Sequence, residues 1–353
     1  MLVYIQILRL LAAVAVVAFH AWGVAPDGFR VPEGAISFLF SHGGHGVDLF
    51  FVISGFIIFY ATNRATLTPA EFLRRRIERI VPLYFVVTLA ITVLAVTLPA
   101  TFGTPGWYTA RHILKSLGFI AFTDGEMPIV YLGWSLEYEM YFYLAVTLLM
   151  AATRDVWRNI VMLFSLLVIA GRLPGVDAAL GHYAFFVDSM ILEFVLGVIV
   201  AGLFVNGRVS WPAAMAAACA MAAVLAADPT DRAIVSGIPA AGLVAAAAFV
   251  SRMRIKPSWP ERALARLGDA SYSIYLAQVQ TVTLASAAIA GIVPIIPPLA
   301  LVVVTTGIVV TLGLLLNILV ERPLLGLCRR LGARRTGGIG DAIPVTAPRR
   351  IRP

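Results

Sequence analysis

Arg9 and His20 stand at the two ends of RLLAAVAVVAFH, with ten uncharged apolar residues between them. A charged side chain costs at least about 2.5–3.5 kcal/mol near the centre of a membrane helix, so its presence in such a run needs a reason. On a helix, eleven residues turn through roughly 1,100°, three turns and about 20°, and rise roughly 16–17 Å. Both side chains therefore face one way at different depths. Either Arg9 snorkels to the headgroups while His20 bonds a neighbouring helix, or the shared face lines a cavity. A buried imidazole in such a cavity would stay neutral, the form a general base needs.

The other chemistry-bearing residues lie in short, separate stretches. HGGHGVDLFFVISGFIIFY places Asp48 just inside an apolar run, where a carboxylate could orient an imidazole as the third member of a hydrolytic triad does. His42, His45 and Asp48 also have ligand-bearing types. However, Gly43, Gly44 and Gly46 make this a loop, and a metal helix shows His at i and i+4, so no metal is expected. EFLRRRIERIVPLYF concentrates Arg74, Arg75, Arg76 and Arg79 before Pro82. Arg76 and Arg79, three apart, share a helix face and could offer two planar forks to a phosphate-bearing ligand, although a cytoplasmic loop carries arginines for topology alone. No GxxxxGK[ST] or GxGxxG accompanies them. In YLGWSLEYEMYFYL, Ser135, Glu139 and Phe142 fall on one face, while Glu137 lies on another and Trp134 fits an interfacial aromatic belt. LGDASYSIYLAQ places Asp269 at a helix entrance, in the position of an N-cap, with Tyr272 following. LNILVERPLL ends the last apolar run with Glu321, Arg322 and Pro323.

The elements that position these residues follow from composition. Hydrophobic residues make up 60% of the 353, charged residues 13%, and the net charge is +8. That balance defines an integral membrane protein of all-α, polytopic type. Basic residues are scattered among apolar runs, with no aromatic-studded basic domain, so nucleic acid is excluded as a partner. Cys219 and Cys328 lie at different depths and imply no disulfide framework. Apolar runs of about 20 residues, the length that crosses ~30 Å of hydrocarbon, fall near 4–24, 46–63, 80–98, 130–152, 159–173, 184–205, 212–227, 233–250, 268–290 and 298–320. About ten transmembrane helices are expected. The first is read as a retained helix rather than a signal peptide, because it exceeds an h-region and carries His20. With the N-terminus cytoplasmic, inside segments hold 21 Lys and Arg against 5 outside, which sets both termini in the cytoplasm. Residues 1–325 form the membrane domain. The segment 326–353, rich in Gly, Pro and Arg, reads as a basic, disordered cytoplasmic tail. The piece RHILKSLGFIAF reads as an interfacial or re-entrant helix rather than a crossing.

Together, Arg9-x10-His20, GVDLFFVISGF at 46–56, RRRIERIVP at 74–82, GWSLEYE at 133–139, GDASYSIYL at 268–276 and ERP at 321–323 form an ordered set. It resembles the acyltransferase 3 family of membrane O-acyltransferases, and within it the branch of exopolysaccharide-production acetyltransferases. The resemblance implies a cytoplasmic acyl-coenzyme A donor, most simply acetyl-coenzyme A. It also implies a saccharide or lipid-linked saccharide acceptor, a bacterial cytoplasmic (inner) membrane, and a possible association with polysaccharide-assembly machinery. Met140 stands where many relatives carry a second acid, and Gln278 where many carry His.

The expected site follows from joining the two readings. His20, Asp48 and Glu139 are the catalytic candidates, with Asp48 or Glu139 orienting the imidazole. Arg9, Arg76 and Arg79 would hold the donor, and Trp134, Ser135 and Tyr272 would contact substrate. General-base and covalent catalysis by His20 both remain open. Intramembrane Arg, His, Asp and Glu also mark transport pathways, so a transporter or a non-catalytic export component is the alternative. No inverted repeat with paired broken helices supports transport.

Overall fold

A computed structural model describes residues 2–63, 67–102, 106–253 and 256–336. Every regular element among these residues is helical. The first half of the chain runs α1 (Val3–Gly23), α2 (Ala35–Ser41), α3 (Gly46–Thr62), α4 (Pro69–Thr97), α5 (Pro99–Phe102), α6 (Ala110–Leu117), α7 (Gly133–Ala152) and α8 (Val156–Gly171). The second half runs α9 (Val176–Leu180), α10 (Ile191–Asn206), α11 (Trp211–Ala227), α12 (Ile238–Met253), α13 (Trp259–Gly268), α14 (Ser271–Ile292), α15 (Pro298–Leu316) and α16 (Arg322–Thr336).

Seven helical stretches, Val3–Gly23, Ala35–Thr62, Pro69–Thr97, Val176–Asn206, Ala233–Met253, Ser271–Ile292 and Pro298–Arg330, are long and apolar enough to cross a membrane. The expected ten are not all of this kind. Helices α8 and α11, with 16 and 17 residues, rise only about 24–26 Å, short of ~30 Å. Helix α7 is 20 residues long but carries Glu137 and Glu139. Large apolar side chains such as Val96, Leu148 and Leu319 are exposed on the outside of the bundle, as a lipid-facing surface requires.

Two boundaries differ from those expected, and each has a local cause. The arginine cluster is helix rather than loop. Thr68 caps α4 through the Glu71 N–H, Glu71 returns to the Thr68 N–H, and Pro69 starts the helix, so α4 runs 29 residues with Pro82 inside it. A helix of that length rises about 43 Å and carries its arginine-bearing first turns beyond the hydrocarbon. Asp269 is the C-cap of α13 rather than an N-cap, because α14 starts only at Ser271. The segment RHILKSLGFIAF forms the short α6 followed by a 3-10 turn at Ala121–Asp124, fixed by Asp124 to Lys115 (2.5 Å) and Arg111 (2.6 Å). Of the segment read as a tail, α16 extends to Thr336; residues 337–353 lie outside the described residues. Cys219 and Cys328 are both free.

Helix α3 runs through the centre. It packs on α10 so closely that a Cβ on Gly55 would lie 2.9 Å from the Phe194 carbonyl carbon, and one on Gly197 would lie 2.8 Å from the Phe56 nitrogen. Dispersion between helices in lipid depends on such close approach, which explains the glycine in GVDLFFVISGF. Helix α1 packs against α3, α12, α13, α14 and α15 and is thereby held on several sides. Its unbroken course puts Arg9 toward one end of the bundle and His20 toward the other.

Candidate active site

Three adjoining spaces are strung along α1. At the Arg9 end, an open vestibule of about 750 Å³ is lined by Arg9, Arg74, Arg75, Arg76, Arg79 and Arg329, against only Glu78 and Asp269. Arg9, Arg76 and Arg79 also line the next space, a narrow inner cavity of about 140 Å³ that holds Ser54, Ser135, Glu139, Tyr143 and Tyr272. Val47 and Tyr275 are shared with the third space, a cleft of about 280 Å³ that contains His20, His45, Trp134 and Arg232. Arg9 thus lines the vestibule and the inner cavity, and His20 the cleft beyond them.

The vestibule's cations are not equivalent. Arg74 pairs with Glu78 at 2.9 Å, one turn along α4. Arg79 is tied to the buried carboxylate of Glu321, stacks over Tyr272 at 5.9 Å, and donates to the Asp269 carbonyl at 3.5 Å. Glu321 also accepts from Ser273 Oγ at 2.5 Å and from Asn317 Nδ2 at 2.7 Å. The terminal ERP motif therefore fixes Arg79 from across the bundle. Arg76 makes no ion pair among the described residues, and its buried Nε has no hydrogen-bond partner. The guanidinium lies over Phe72 at 5.6 Å and Tyr143 at 5.9 Å. A buried donor without an acceptor is costly. Arg76, with an unfilled donor at the mouth of the narrow inner cavity, could hold a phosphate-bearing ligand.

In the inner cavity Glu139 Oε1 accepts from Ser54 Oγ at 2.9 Å and from the Tyr143 hydroxyl. Arg9 donates to Gln6 at 3.1 Å and makes no ion pair among the described residues. Ser135 Oγ donates to the Leu132 carbonyl at 3.0 Å and meets the Tyr275 hydroxyl at 2.9 Å. Tyr272 donates to the Ile80 carbonyl at 2.8 Å. Ser135 and Tyr272 therefore shape this cavity, whereas Trp134 belongs to the His20 cleft.

The partner of His20 is neither Asp48 nor Glu139. Its Nδ1 lies 3.0 Å from Oε1 of Gln278. Asp48, almost fully buried, spends both oxygens on Arg232, Oδ1 to Nε at 3.0 Å and Oδ2 to Nη2 at 2.5 Å. Glu139 lines the inner cavity and not the cleft. Gln278 sits immediately before a break in α14, where Val279 (ψ 126°) and Gln280 (φ 62°) leave helical geometry. A left-handed φ is uncommon for a residue other than glycine, and it ends the first segment of α14 at the residue that meets His20. Of the other candidates raised by type, His42 is occupied by its own turn, with Nδ1 2.8 Å from the Phe38 carbonyl. Glu137, on a different face of α7 from Glu139, is buried and accepts from the Ala121 N–H at 2.6 Å.

Gln278 and Arg232 are the site residues that sequence reasoning missed. The first is marked only by departing from the His of many relatives, and the second appears only as one outer-loop cation among five.

A helical bundle that is apolar outside and pierced by a basic vestibule, a narrow passage and a histidine cleft defines a polytopic membrane protein with an enclosed site. The chain belongs to the acyltransferase 3 family, whose acyltransferase domain matches residues 2–318. It is 34% identical over 318 residues to the exopolysaccharide production protein ExoZ of Rhizobium meliloti, covering 85% of this chain and 94% of that protein. It is 26% identical over 373 residues to the acyltransferase MdmB of Streptomyces mycarofaciens, covering 93% of this chain and 92% of that protein. No solved structure matches the chain.

Proposed function

We propose that this protein is a ten-span enzyme of a bacterial cytoplasmic membrane, with both termini inside, that moves an acetyl group from acetyl-coenzyme A to a hydroxyl of a surface or exopolysaccharide sugar, or of its lipid-linked precursor. The observation that carries this reading is the series of three adjoining spaces, with six arginines around the first and His20 in the last. The 21 to 5 distribution of basic residues supports a cytoplasmic vestibule and an outward-facing cleft. The exopolysaccharide relative supports a saccharide acceptor.

The donor's phosphates would lie among Arg9, Arg75, Arg76 and Arg329, which make no ion pair among the described residues. Its pantetheine arm would thread the inner cavity past Glu139 and Tyr272, and the thioester would meet the acceptor beside His20. Donation from Nδ1 to Gln278 leaves the Nε2 lone pair free to take the proton of the attacking hydroxyl. As the new C–O bond forms and the C–S bond breaks, His20 returns that proton to the departing thiolate. The products are an O-acetyl sugar and free coenzyme A.

The test is the O-acetyl content of surface polysaccharide in cells carrying the wild-type protein, His20→Ala, or neither. Restoration by wild type and its loss in a correctly inserted, donor-binding His20→Ala protein is the expected result. Equal acetylation by both proteins would remove His20 from the chemistry. Acetylation unaffected by loss of the wild-type protein would overturn the function.

A further inference from the structure

The geometry points to Arg232 as a second catalytic residue, one whose guanidinium stabilises the oxyanion formed when the acceptor attacks the thioester beside His20. This rests on the acyl-transfer reading above. Arg232 faces the cleft with about a third of its side chain exposed, whereas Asp48 behind it is 1% exposed. Asp48 takes Nε and Nη2 side-on, which leaves Nη1 and its two protons uncommitted among the described residues. Trp134 limits the guanidinium on another side, its ring centre 5.9 Å from Cζ. Among the described residues, Arg232 is the only permanently charged one lining the cleft.

The backbone that carries Arg232 is anchored for its position rather than left as a loop. Asp231 Oδ1 accepts from the Ala233 N–H at 2.9 Å, while Oδ2 pairs with Arg172 at 2.8 Å and accepts from Ser189 Oγ at 2.7 Å. Directly after Arg232 the chain makes a π turn over Ala233–Gly237, a geometry that recurs at functional sites. That turn aims Ser236 Oγ at Nδ1 of His45, 2.7 Å away, which also lines the cleft. Gly237 closes the turn where a Cβ would lie 3.0 Å from Glu193 Cγ. A salt bridge merely holding two helices together would not need its cation turned into a cleft that also contains the base.

The charge accounting of the reaction supplies the role. When the acceptor oxygen bonds to the acyl carbon, its proton passes to His20 and the carbonyl π electrons move onto oxygen. That oxygen then returns the pair as the C–S bond breaks. His20 and Arg232 line one cleft of about 280 Å³, so one carbonyl bound there can be served by both. Fixed donors aimed at a developing oxyanion contribute about 10²–10³ in kcat. Asp48, the acid of GVDLFF, thereby becomes the positioning residue of this arginine.

The test uses full-length protein in vesicles of its native membranes, with radiolabelled acetyl-coenzyme A as donor and the endogenous polysaccharide as acceptor. Arg232→Lys and Arg232→Gln are expected to lower kcat about 10²–10³-fold while the donor KM changes less than threefold. Guanidinium ion should restore part of the rate to Arg232→Ala. If the single variants fail to fold, read from their thermal unfolding in detergent, the Asp48→Asn, Arg232→Gln double variant, which removes both members of the ion pair, is read instead and should show the same kcat loss. An unchanged kcat, or a loss confined to KM, overturns the role of Arg232 while leaving the acyl-transfer reading intact. A wild-type protein that transfers no acetyl group overturns both.

Discussion

Nδ1 of His20 and Oε1 of Gln278 lie 3.0 Å apart although 258 residues separate them in the chain. With the amide oxygen of Gln278 accepting, Nδ1 carries the proton and Nε2 the lone pair. Gln278→Leu removes the acceptor and lets the ring rotate or change tautomer. One net hydrogen bond is worth about 1–1.5 kcal/mol, so kcat should fall about tenfold with little change in either KM. Gln278→Glu retains an acceptor at the same reach and should keep more of the rate than Gln278→Leu. Steady-state acetyl transfer by both variants checks the ordering; equal loss would make Gln278 a packing residue only.

Arg76 and Arg79 occupy neighbouring turns of one helix yet should fail differently when truncated. Arg79→Ala strands Glu321, which is 1% exposed and has lost its cation. Breaking a buried pair from one side costs about 3–5 kcal/mol, discounted here because the arginine is about a third exposed, so reduced thermal stability in detergent is expected. Arg76→Ala strands no carboxylate. It should leave stability nearly unchanged and weaken acetyl-coenzyme A binding about tenfold, the effect of losing one charge-assisted contact. Thermal unfolding and donor titration on the two variants separate the outcomes.

The vestibule is open and its free arginines are partly hydrated, so donor binding should respond to salt. Raising ionic strength from 0.01 M to 0.15 M shortens the Debye length from about 30 Å to about 8 Å. The donor KM should rise several-fold over that range while kcat, set at His20, stays within twofold. A kcat that falls in parallel with rising KM would place a screened charge at the chemical step.

Some of this site was legible in the sequence because helices have a fixed pitch. The common face of Arg9 and His20 needs nothing beyond 3.6 residues per turn and an unbroken helix. The start of α4 at Pro69 was equally available from Thr68, Pro69 and Glu71, a capping box preceding the arginines, although an apolar-run scan starts the span only near residue 80. The bond to Gln278 was not legible. It depends on a break in α14 at Val279–Gln280, where a glutamine adopts a left-handed backbone that no residue type announces. Arg232 was hidden for another reason, since a count of basic residues by loop treats all cations alike and does not see that Asp48 turns this one inward. The pairing of Gly55 with Gly197 lies between them: the glycines were visible as small residues in apolar helices, but not which helix each would meet.

Glu139 belongs to the sequence motif and shares a helix with Trp134, but it lines the cavity with Arg9 and not the cleft with His20. Its Oε1 accepts from Ser54 and Tyr143, which fixes the carboxylate between the arginines of the vestibule and the aromatic wall of the passage. There it sets the charge along the path that the donor's arm would follow. Glu139→Gln keeps an acceptor for both hydroxyls and nearly the same volume, so the fold should survive. Glu139→Ala leaves two buried hydroxyls without their acceptor and should cost about 1–3 kcal/mol in stability for each. If Glu139 acts on the donor, Glu139→Gln should change the KM for acetyl-coenzyme A and leave the pH profile of kcat where it was. If it instead acts through the imidazole, the pH profile should move and KM should not. The geometry favours the first outcome, because the side-chain partner of Nδ1 of His20 is Gln278 and Glu139 does not line the cleft that holds His20.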